Sequence, residues 1–323
     1  MNSHTTLFIL QWLFAFIGIL GNCWVILAIL RYRAIKRTSN KILFINLAVA
    51  DMGVLVIRNP FYFLLIFSHN RWLFGEFACK ILLPVSLMFM PASVLTLVAI
   101  WYSRCNAIVN IKQLNEISVR SAWFTVISIW AFVAVYYPII EIPLRNVNTT
   151  AESCELAISK PVSYTLYALE DLYFVAAFLV IIIMFIRMRR SLLSFSKVYS
   201  DDIIVKRLMK NMKALKLLWP VVIALFICML PLAVGRTWQW IKGGEDDIPL
   251  FFLHSIDVLL VTNSACNPYL YIIVSTEFRE KFWQIPCVKC LQTHFAKSRS
   301  PSSGRKMSKR ALYANVKFEE SKI

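Results

Sequence analysis

Residues 7–31 read LFILQWLFAFIGILGNCWVILAILR, an apolar run with no charged residue before Arg31. A bilayer core about 30 Å thick needs roughly 20 apolar residues per helix, so this run is long enough to span it. Six more runs of this kind follow, bounded by charged or turn-forming residues. Together they predict an all-α seven-transmembrane helix bundle, with helices at residues 7–31, 42–67, 76–109, 121–141, 162–187, 211–240 and 248–274.

The distribution of Lys and Arg predicts the orientation of the bundle. The chain has a formal net charge of +17, with 35 Lys and Arg against 18 Asp and Glu. No basic residue precedes Arg31, whereas the first connecting loop is rich in them, and basic residues beside helix ends remain in the cytoplasm. We therefore expect a multi-pass plasma-membrane protein whose residues 1–6 are extracellular. Because the positive charge lies next to the spans, it favours bilayer lipid over nucleic acid as a partner.

Two cysteines and one asparagine are expected on the extracellular side. Of the eight cysteines, only Cys79 and Cys154 fall in segments that this orientation places outside, where disulfides form. We predict that they pair and pin the loop between the fourth and fifth helices over the bundle. Asn148 begins an Asn-Thr-Thr acceptor sequon in the same loop, so we expect it to be glycosylated.

Polar residues within the spans are the first candidates for a site, because each is costly in hydrocarbon unless it pairs or lines water. Asp51 lies near the middle of the second helix. Residues at comparable depths are Asn22 in the first helix, Ser93 in the third, and Asn263 and Asn267 in the seventh. Such a cluster either holds a small cation or joins the helices through hydrogen bonds. Depth alone leaves both alternatives open.

An ordered set of motifs runs through these helices, from about residue 15 to 290. It resembles the rhodopsin-like (class A) G-protein-coupled receptors, and the chain looks like a divergent member, most similar to peptide-type receptors. The strongest single element is the Asn-Pro-x-x-Tyr motif at Asn267–Tyr271. The other shared motifs are Gly21-Asn22, Leu47-Ala-x-x-Asp51, Trp72-x-Phe-Gly75, Trp130 and Cys228-Met-Leu-Pro231.

The resemblance implies a receptor that binds an extracellular ligand and activates a heterotrimeric G protein, with arrestin and receptor kinases as further partners. It also implies that the polar cluster forms an allosteric sodium pocket, so sodium is the one ion expected as a cofactor. The residues of this pocket are Asp51, Ser93, Asn263 and Asn267.

The expected activation switch lies in the third, sixth and seventh helices. Pro268 removes a backbone hydrogen bond and lets the seventh helix bend, and by resemblance Tyr271 swings inward on activation. The sixth helix departs from the family pattern because it has Met229 in place of the usual Trp, two residues before Pro231. Arg104, at the end of the third helix, completes the set.

The residues on either side of Arg104 differ most clearly from the family pattern. The usual Asp-Arg-Tyr reads Ser103-Arg104-Cys105 here, so the arginine has lost the acid that restrains it in the resting state. Losing one such charge pair eases activation by about 1 kcal/mol, which predicts raised basal activity. The same change is also expected in a receptor that couples poorly to G protein, and the sequence leaves both readings open.

The segment after the seventh helix is expected to lie in the cytoplasm. By resemblance, residues 275–290 form a short amphipathic helix along the membrane. Cys287 and Cys290 are its expected palmitoylation sites, with two reduced thiols as the alternative. Residues 291–323 combine serines with Lys and Arg, which predicts a disordered basic tail open to phosphorylation and arrestin-type binding.

The ligand is expected to be a short peptide bound within the bundle. Amine receptors of the family carry an Asp where this chain has Ser86, and opsins carry a Lys where it has Val261. Residues 1–6 are too few to fold into a binding module. The acidic excess of the outer residues favours a cationic or amidated ligand. The expected pocket residues are Arg58, Ser86, Glu170, Asp171, Arg236 and Asp257.

Arg58 is the most informative of these residues, because it lies within a span. It either pairs with Asp257 across the bundle or meets a carboxylate or carbonyl of the ligand, and both alternatives remain open.

Other classes of protein fit the sequence less well. An enzyme is not expected, since there is no metal-ligand spacing, nucleophile elbow or phosphate loop. A transporter would show an internal repeat with broken helices in both halves, which an odd number of helices does not match. A ligand scavenger or trafficking partner that does not signal remains an alternative, because of Ser103, Cys105 and Met229.

Overall fold

Helices make up most of the chain that the structure describes. The computed structural model describes residues 3–31, 38–68, 71–109, 117–148, 152–198, 223, 226–231, 233–235, 237–238 and 250–274. Within it, α1 spans Ser3–Leu30, α5 spans Lys160–Val198, a short stretch of α6 is described at Phe226–Gly235, and α7 spans Leu250–Val274.

Each of the three remaining helices contains a π-helical section. Helix α2 consists of Thr38–Gly53, the π-helical section Val54–Arg58 and Asn59–Phe67. Helix α3 consists of Gly75–Phe77, the π-helical section Ala78–Leu82, Leu83–Leu87 and Phe89–Val109. Helix α4 consists of Val119–Ala134, the π-helical section Val135–Glu141 and Ile142–Leu144.

The described helices agree with the predicted spans. Length and composition allow each of α1 to α5 to cross a membrane. Helix α7 has 25 residues and is therefore roughly 37 Å long, which also exceeds the bilayer core. The predicted helix at 211–240 is described only in part. The predicted helix at 275–290, with Cys287 and Cys290, and the tail at 291–323 lie outside the described residues.

One boundary differs clearly from its prediction. The apolar run of the fifth helix ends at residue 187, but α5 continues to Val198. Arg187, Arg189 and Arg190 interrupt the apolar pattern, yet arginine is a good helix former. Hydropathy therefore marks where the helix leaves the membrane, and not where it ends.

Proline explains the π-helical sections. Pro60 and Pro84 follow two of them within two residues, and Pro138 lies inside the third. Proline has no amide hydrogen and its ring crowds the carbonyl four residues earlier, so the hydrogen-bond ladder widens locally. In α2 the amide of Asn59 accordingly donates to the carbonyl of Val54, five residues back. The extra residue in this turn changes the rotation of Arg58 and Asn59, and both are buried.

Glycines let several helices approach closely. A Cβ atom on Gly18 would lie 2.8 Å from Cβ of Ala265 in α7, and one on Gly21 would lie 2.9 Å from Cβ of Pro268. In hydrocarbon, such small residues allow van der Waals packing between helix backbones. Helix α1 therefore packs closely against α7 at the Asn-Pro motif.

A two-stranded hairpin follows α4 and is tied to α3. Strand β1, Arg145–Asn148, pairs antiparallel with β2, Ser153–Leu156, so that Val147 lies opposite Cys154. The predicted disulfide between Cys79 and Cys154 is present, with a Cα–Cα distance of 5.7 Å. We call the end of the bundle that carries this hairpin the outer end. Asn148 is exposed at the end of β1, as a glycosylation acceptor must be, and its glycosylation stays a prediction.

Candidate ligand site and polar core

The middle of the bundle contains a hydrogen-bonded core around Asp51, which is fully buried. Ser93 Oγ donates to Asp51 Oδ1 at 2.7 Å, and Asn267 Nδ2 donates to Asp51 Oδ2 at 2.8 Å. Asn263 is also buried, one helical turn before Asn267. The structure therefore joins three of the five residues grouped by depth, and it connects α2, α3 and α7 through them. Asn22 is also buried, but its amide donates to the carbonyls of Gly18 and Ser264.

A second polar group lies beside this core, and of its three members only Trp130 belongs to the motifs found in the sequence. Asn46 Nδ2 donates to Thr96 Oγ1 at 2.7 Å, and Trp130 Nε1 donates to Asn46 Oδ1 at 2.8 Å. This asparagine connects α2 with α3 and α4. Asn46 was visible as a polar residue within a span, so the cost of burying an amide in hydrocarbon was the signal that could have identified it.

Of the expected switch residues, Tyr271 lies toward the opposite, inner end. Tyr271 is buried and packs edge-to-face on Phe44, with ring centroids 4.8 Å apart. Pro268 lies inside α7, and Met229 is buried in the described stretch of α6, near a half-buried Pro231. The contact between Tyr271 and Phe44 packs the inner end of α7 against α2.

Ser103 has a partner that the sequence did not indicate. Its Oγ donates to Asn40 Oδ1 at 3.0 Å, and both residues are buried. The contact joins the end of α3 to the beginning of α2, next to Arg104 in the chain. A neutral hydrogen bond therefore lies at the position where the family has an acid beside its arginine. The amide of Asn40 was not readable as a partner, because it lies in a basic segment that resembles an ordinary cytoplasmic loop.

Arg58 and Asp257 form a buried ion pair near the outer end. Arg58 Nη1 lies 2.7 Å from Asp257 Oδ1, and the two side chains are 5% and 3% exposed. Gln11 Nε2 donates to the other carboxylate oxygen at 2.6 Å and to Asn59 Oδ1 at 2.7 Å. The guanidinium of Arg58 lies over the ring of Tyr62, 3.9 Å from its centroid. Of the two alternatives for Arg58, the structure contains the pair across the bundle.

A cavity of about 180 Å³ lies beside this pair, between the outer parts of α2 to α5 and the hairpin. Arg145 Nε donates to Glu141 at 3.0 Å, and the hydroxyl of Tyr137 donates to Glu170. Neither Arg145 nor Tyr137 was among the residues expected in the pocket. The wall includes Phe61, Tyr62, Trp72, Glu141, Arg145, Cys154 and Glu170.

The other expected pocket residues do not line the described cavity. Ser86 is buried, but its hydroxyl donates to the carbonyl of Leu83 in its own helix at 2.7 Å. Asp171 is half-buried, and the guanidinium of Arg58, which is paired with Asp257, lies over the ring of Tyr62. Arg236 lies outside the described residues.

Comparison with known proteins agrees with this architecture. The family model described as "7 transmembrane receptor (rhodopsin family)" matches residues 21–271. Neuropeptide receptor 15 of Caenorhabditis elegans is 27% identical over 297 residues, which cover 82% of this chain and 85% of that protein. Neuromedin-U receptor 2 of Mus musculus is 24% identical, covering 86% and 74%, and Chemerin-like receptor 1 of Rattus norvegicus is 26% identical, covering 86% and 77%. The chain is thus a member of the rhodopsin family of seven-transmembrane receptors, and it is a receptor rather than an enzyme.

Proposed function

We propose that this chain is a plasma-membrane receptor, with its N-terminus outside the cell, that binds a small extracellular peptide and activates a heterotrimeric G protein. The observation that carries the proposal is the cavity with charged and aromatic walls at the outer end of a bundle that belongs to this receptor family. Relatives named as receptors for neuropeptide and neuromedin-U are similar over more than four fifths of the chain, which supports a peptide ligand.

Hydrogen bonds between α7 and the polar core support a route by which a peptide would act on the inner end. A ligand that moves the outer part of α7 also moves Asn267, because Pro268 leaves the helix free to bend there. Asn267 is held by Asp51, so a bend changes the contacts of the polar core with α2 and α3. Tyr271 then leaves Phe44, which opens the inner end toward the G protein. Arg104 would contact the G protein there, and arrestin and receptor kinases would act on residues 291–323.

The first experiment measures G-protein activation in cultured cells, without ligand and with a library of short peptides. We expect activation of at least one G-protein class, and we expect Arg104→Ala at matched surface expression to abolish it. Silence in every class through the whole library would overturn the signalling function. It would favour a ligand scavenger or a trafficking partner, the candidate that Ser103 and Cys105 beside Arg104 support.

Basal activity tests the contact between Ser103 and Asn40. If this hydrogen bond exists only in the resting state, its loss costs that state about 0.5–1.5 kcal/mol. Ser103→Ala is therefore expected to raise the ratio of active to resting receptor by about two- to twelvefold. Ser121→Ala, an exposed serine at the inner end of α4, is the matched control and should leave basal activity unchanged. Equal basal activity in both variants would show that Asn40 does not restrain α3.

A sodium ion fits the polar core. The Asp51 carboxylate accepts hydrogen bonds from Ser93 and Asn267, one on each oxygen, and also interacts with the side chain of Ser264. It can offer about four lone-pair sites, so a cation can still bind, and the Ser93 hydroxyl can also accept. Asp51, Ser93, Asn263 and Asn267 together offer hard oxygen ligands of the kind that alkali and alkaline-earth cations prefer. The ion would supply positive charge that holds α2, α3 and α7 in the resting arrangement.

Sodium dependence of stability tests this assignment. At about ten times its Kd, sodium is expected to stabilise the receptor by about 1.4 kcal/mol, measured as thermal unfolding in NaCl against N-methyl-glucamine chloride. Asp51→Asn should remove the difference between the two salts. Thr96→Ala, in the neighbouring Asn46 group, should keep it even if the variant is less stable. A sodium effect that survives in Asp51→Asn would contradict the assignment.

A further inference from the structure

The outer cavity has the size of one side chain. Its volume is about 180 Å³, room for about six water molecules and less than the roughly 300–1,000 Å³ of pockets that enclose drug-sized ligands. The hairpin covers it, since Cys154 of β2 is part of its wall and is bonded to Cys79. A peptide therefore has to enter it with a single group, while the rest of the peptide lies elsewhere.

The charges on the described wall favour a cation. Glu141 and Arg145 form an ion pair four residues apart, and each side chain is 7% exposed. Glu170 contributes a second carboxylate, positioned by the hydroxyl of Tyr137. Two carboxylates and one guanidinium give the described wall a formal charge of −1. In a partly desolvated site an anionic group would be repelled, and a cationic group would be attracted.

The aromatic residues of the wall suit a planar cation. Phe61, Tyr62 and Trp72 all line the cavity, and guanidinium groups stack on such rings. Tyr62 already accepts a guanidinium, because that of Arg58 lies 3.9 Å from its ring centroid. A guanidinium can also present two parallel N–H groups to one carboxylate, which a lysine ammonium cannot do.

We propose that this cavity is the subsite for an arginine side chain of the peptide, with Glu170 as its carboxylate partner and the aromatic wall around it. The inference rests on the proposed function, since it names one chemical feature of the peptide that the receptor would bind. Arg145 does not serve as an anchor for a ligand carboxylate, because it is bound by Glu141.

The test uses two fragments, Nα-acetyl-arginine amide and Nα-acetyl-citrulline amide, which have the same shape but differ in charge. Binding to the full-length receptor in nanodiscs is measured by saturation-transfer NMR at millimolar concentrations. We expect the arginine fragment to bind at least tenfold more tightly than the citrulline fragment. Glu170→Gln, whose amide oxygen still accepts from Tyr137, should weaken the arginine fragment at least tenfold. Glu76→Gln, an exposed carboxylate outside the cavity, should change its affinity less than twofold.

Equal binding of both fragments, or no measurable binding of either, would overturn the arginine subsite. So would a Glu170→Gln receptor that binds the arginine fragment as well as the unmodified receptor does. Failure of the proposed function gives a different result, because a receptor silent toward every peptide would still discriminate the two fragments. Conversely, an activating peptide that keeps its potency when each arginine is replaced by citrulline would exclude the subsite and retain the signalling function.

Discussion

Asp257→Ala is expected to destabilise the receptor by about 3–5 kcal/mol, because it leaves the guanidinium of Arg58 buried without its carboxylate. Arg58 and Asp257 are almost fully buried and 2.7 Å apart. The same substitution removes the acceptor of one Gln11 hydrogen bond. The cost is measured as loss of thermal stability of the solubilised receptor, together with the fraction of the protein that reaches the cell surface.

A second ion pair provides the matched control. Arg71 and Glu152 are 3.6 Å apart, but their side chains are 62% and 50% exposed. Glu152→Ala is therefore expected to cost less than about 1 kcal/mol. The double variant Arg58→Leu/Asp257→Leu should recover most of the stability lost in Asp257→Ala, because it leaves no buried charge. Equal losses in Asp257→Ala and Glu152→Ala would mean that the Arg58 charge is compensated in another way.

Depth within the membrane predicted part of the polar core. Asp51, Ser93 and Asn267 lie near the middle of their apolar runs, and each is too costly to face hydrocarbon. Because helices cross the bilayer with a fixed rise per residue, polar residues at equal depth converge in the bundle interior. The hydrogen bonds from Ser93 and Asn267 to Asp51 follow from those two constraints.

Rotation about the helix axes could not be predicted in the same way. Arg58 lies at the end of a π-helical section, whose extra residue changes the direction of the side chains that follow. The depth of Arg58 in the membrane therefore could not decide whether it pairs with Asp257 or meets the ligand. It also gave no reason to expect Gln11 or Asn59 as neighbours. Ser86 illustrates a further limit, because a serine in a helix can satisfy its hydroxyl on its own backbone instead of facing a pocket.

The structure of the loop between α4 and α5 could not be predicted from the sequence, apart from its disulfide. Arg145 was not among the expected pocket residues, yet it reaches back four residues to Glu141, across the end of the helix. Helical spacing is not expected beyond Pro143, so the pair had no signature in the sequence. The hairpin that fixes Arg145 depends on backbone pairing and on a disulfide, and only the disulfide could be predicted.

Removal of that disulfide is expected to be the second large effect. The bridge joins residues 75 positions apart, and the double variant Cys79→Ala/Cys154→Ala should lose about 2–5 kcal/mol of stability. Other contacts hold the hairpin to its surroundings, such as the hydrogen bond from the Trp72 amide to the carbonyl of Glu152. These contacts are already present in the unmodified receptor, at about 1 kcal/mol for each hydrogen bond, so they do not offset the loss of the bridge.

A reducing agent distinguishes the effect of the disulfide bond from the effect of replacing the two cysteine side chains. The unmodified receptor should unfold at a lower temperature after reduction, whereas Cys79→Ala/Cys154→Ala should not respond, since Cys23, Cys105, Cys228 and Cys266 are free thiols in the described chain. Because Cys154 belongs to the wall of the outer cavity, reduction should also weaken binding of Nα-acetyl-arginine amide. Reduction that lowers the unfolding temperature but leaves this binding unchanged would show that the helices alone shape the cavity. The bridge would then stabilise the fold without contributing to the site.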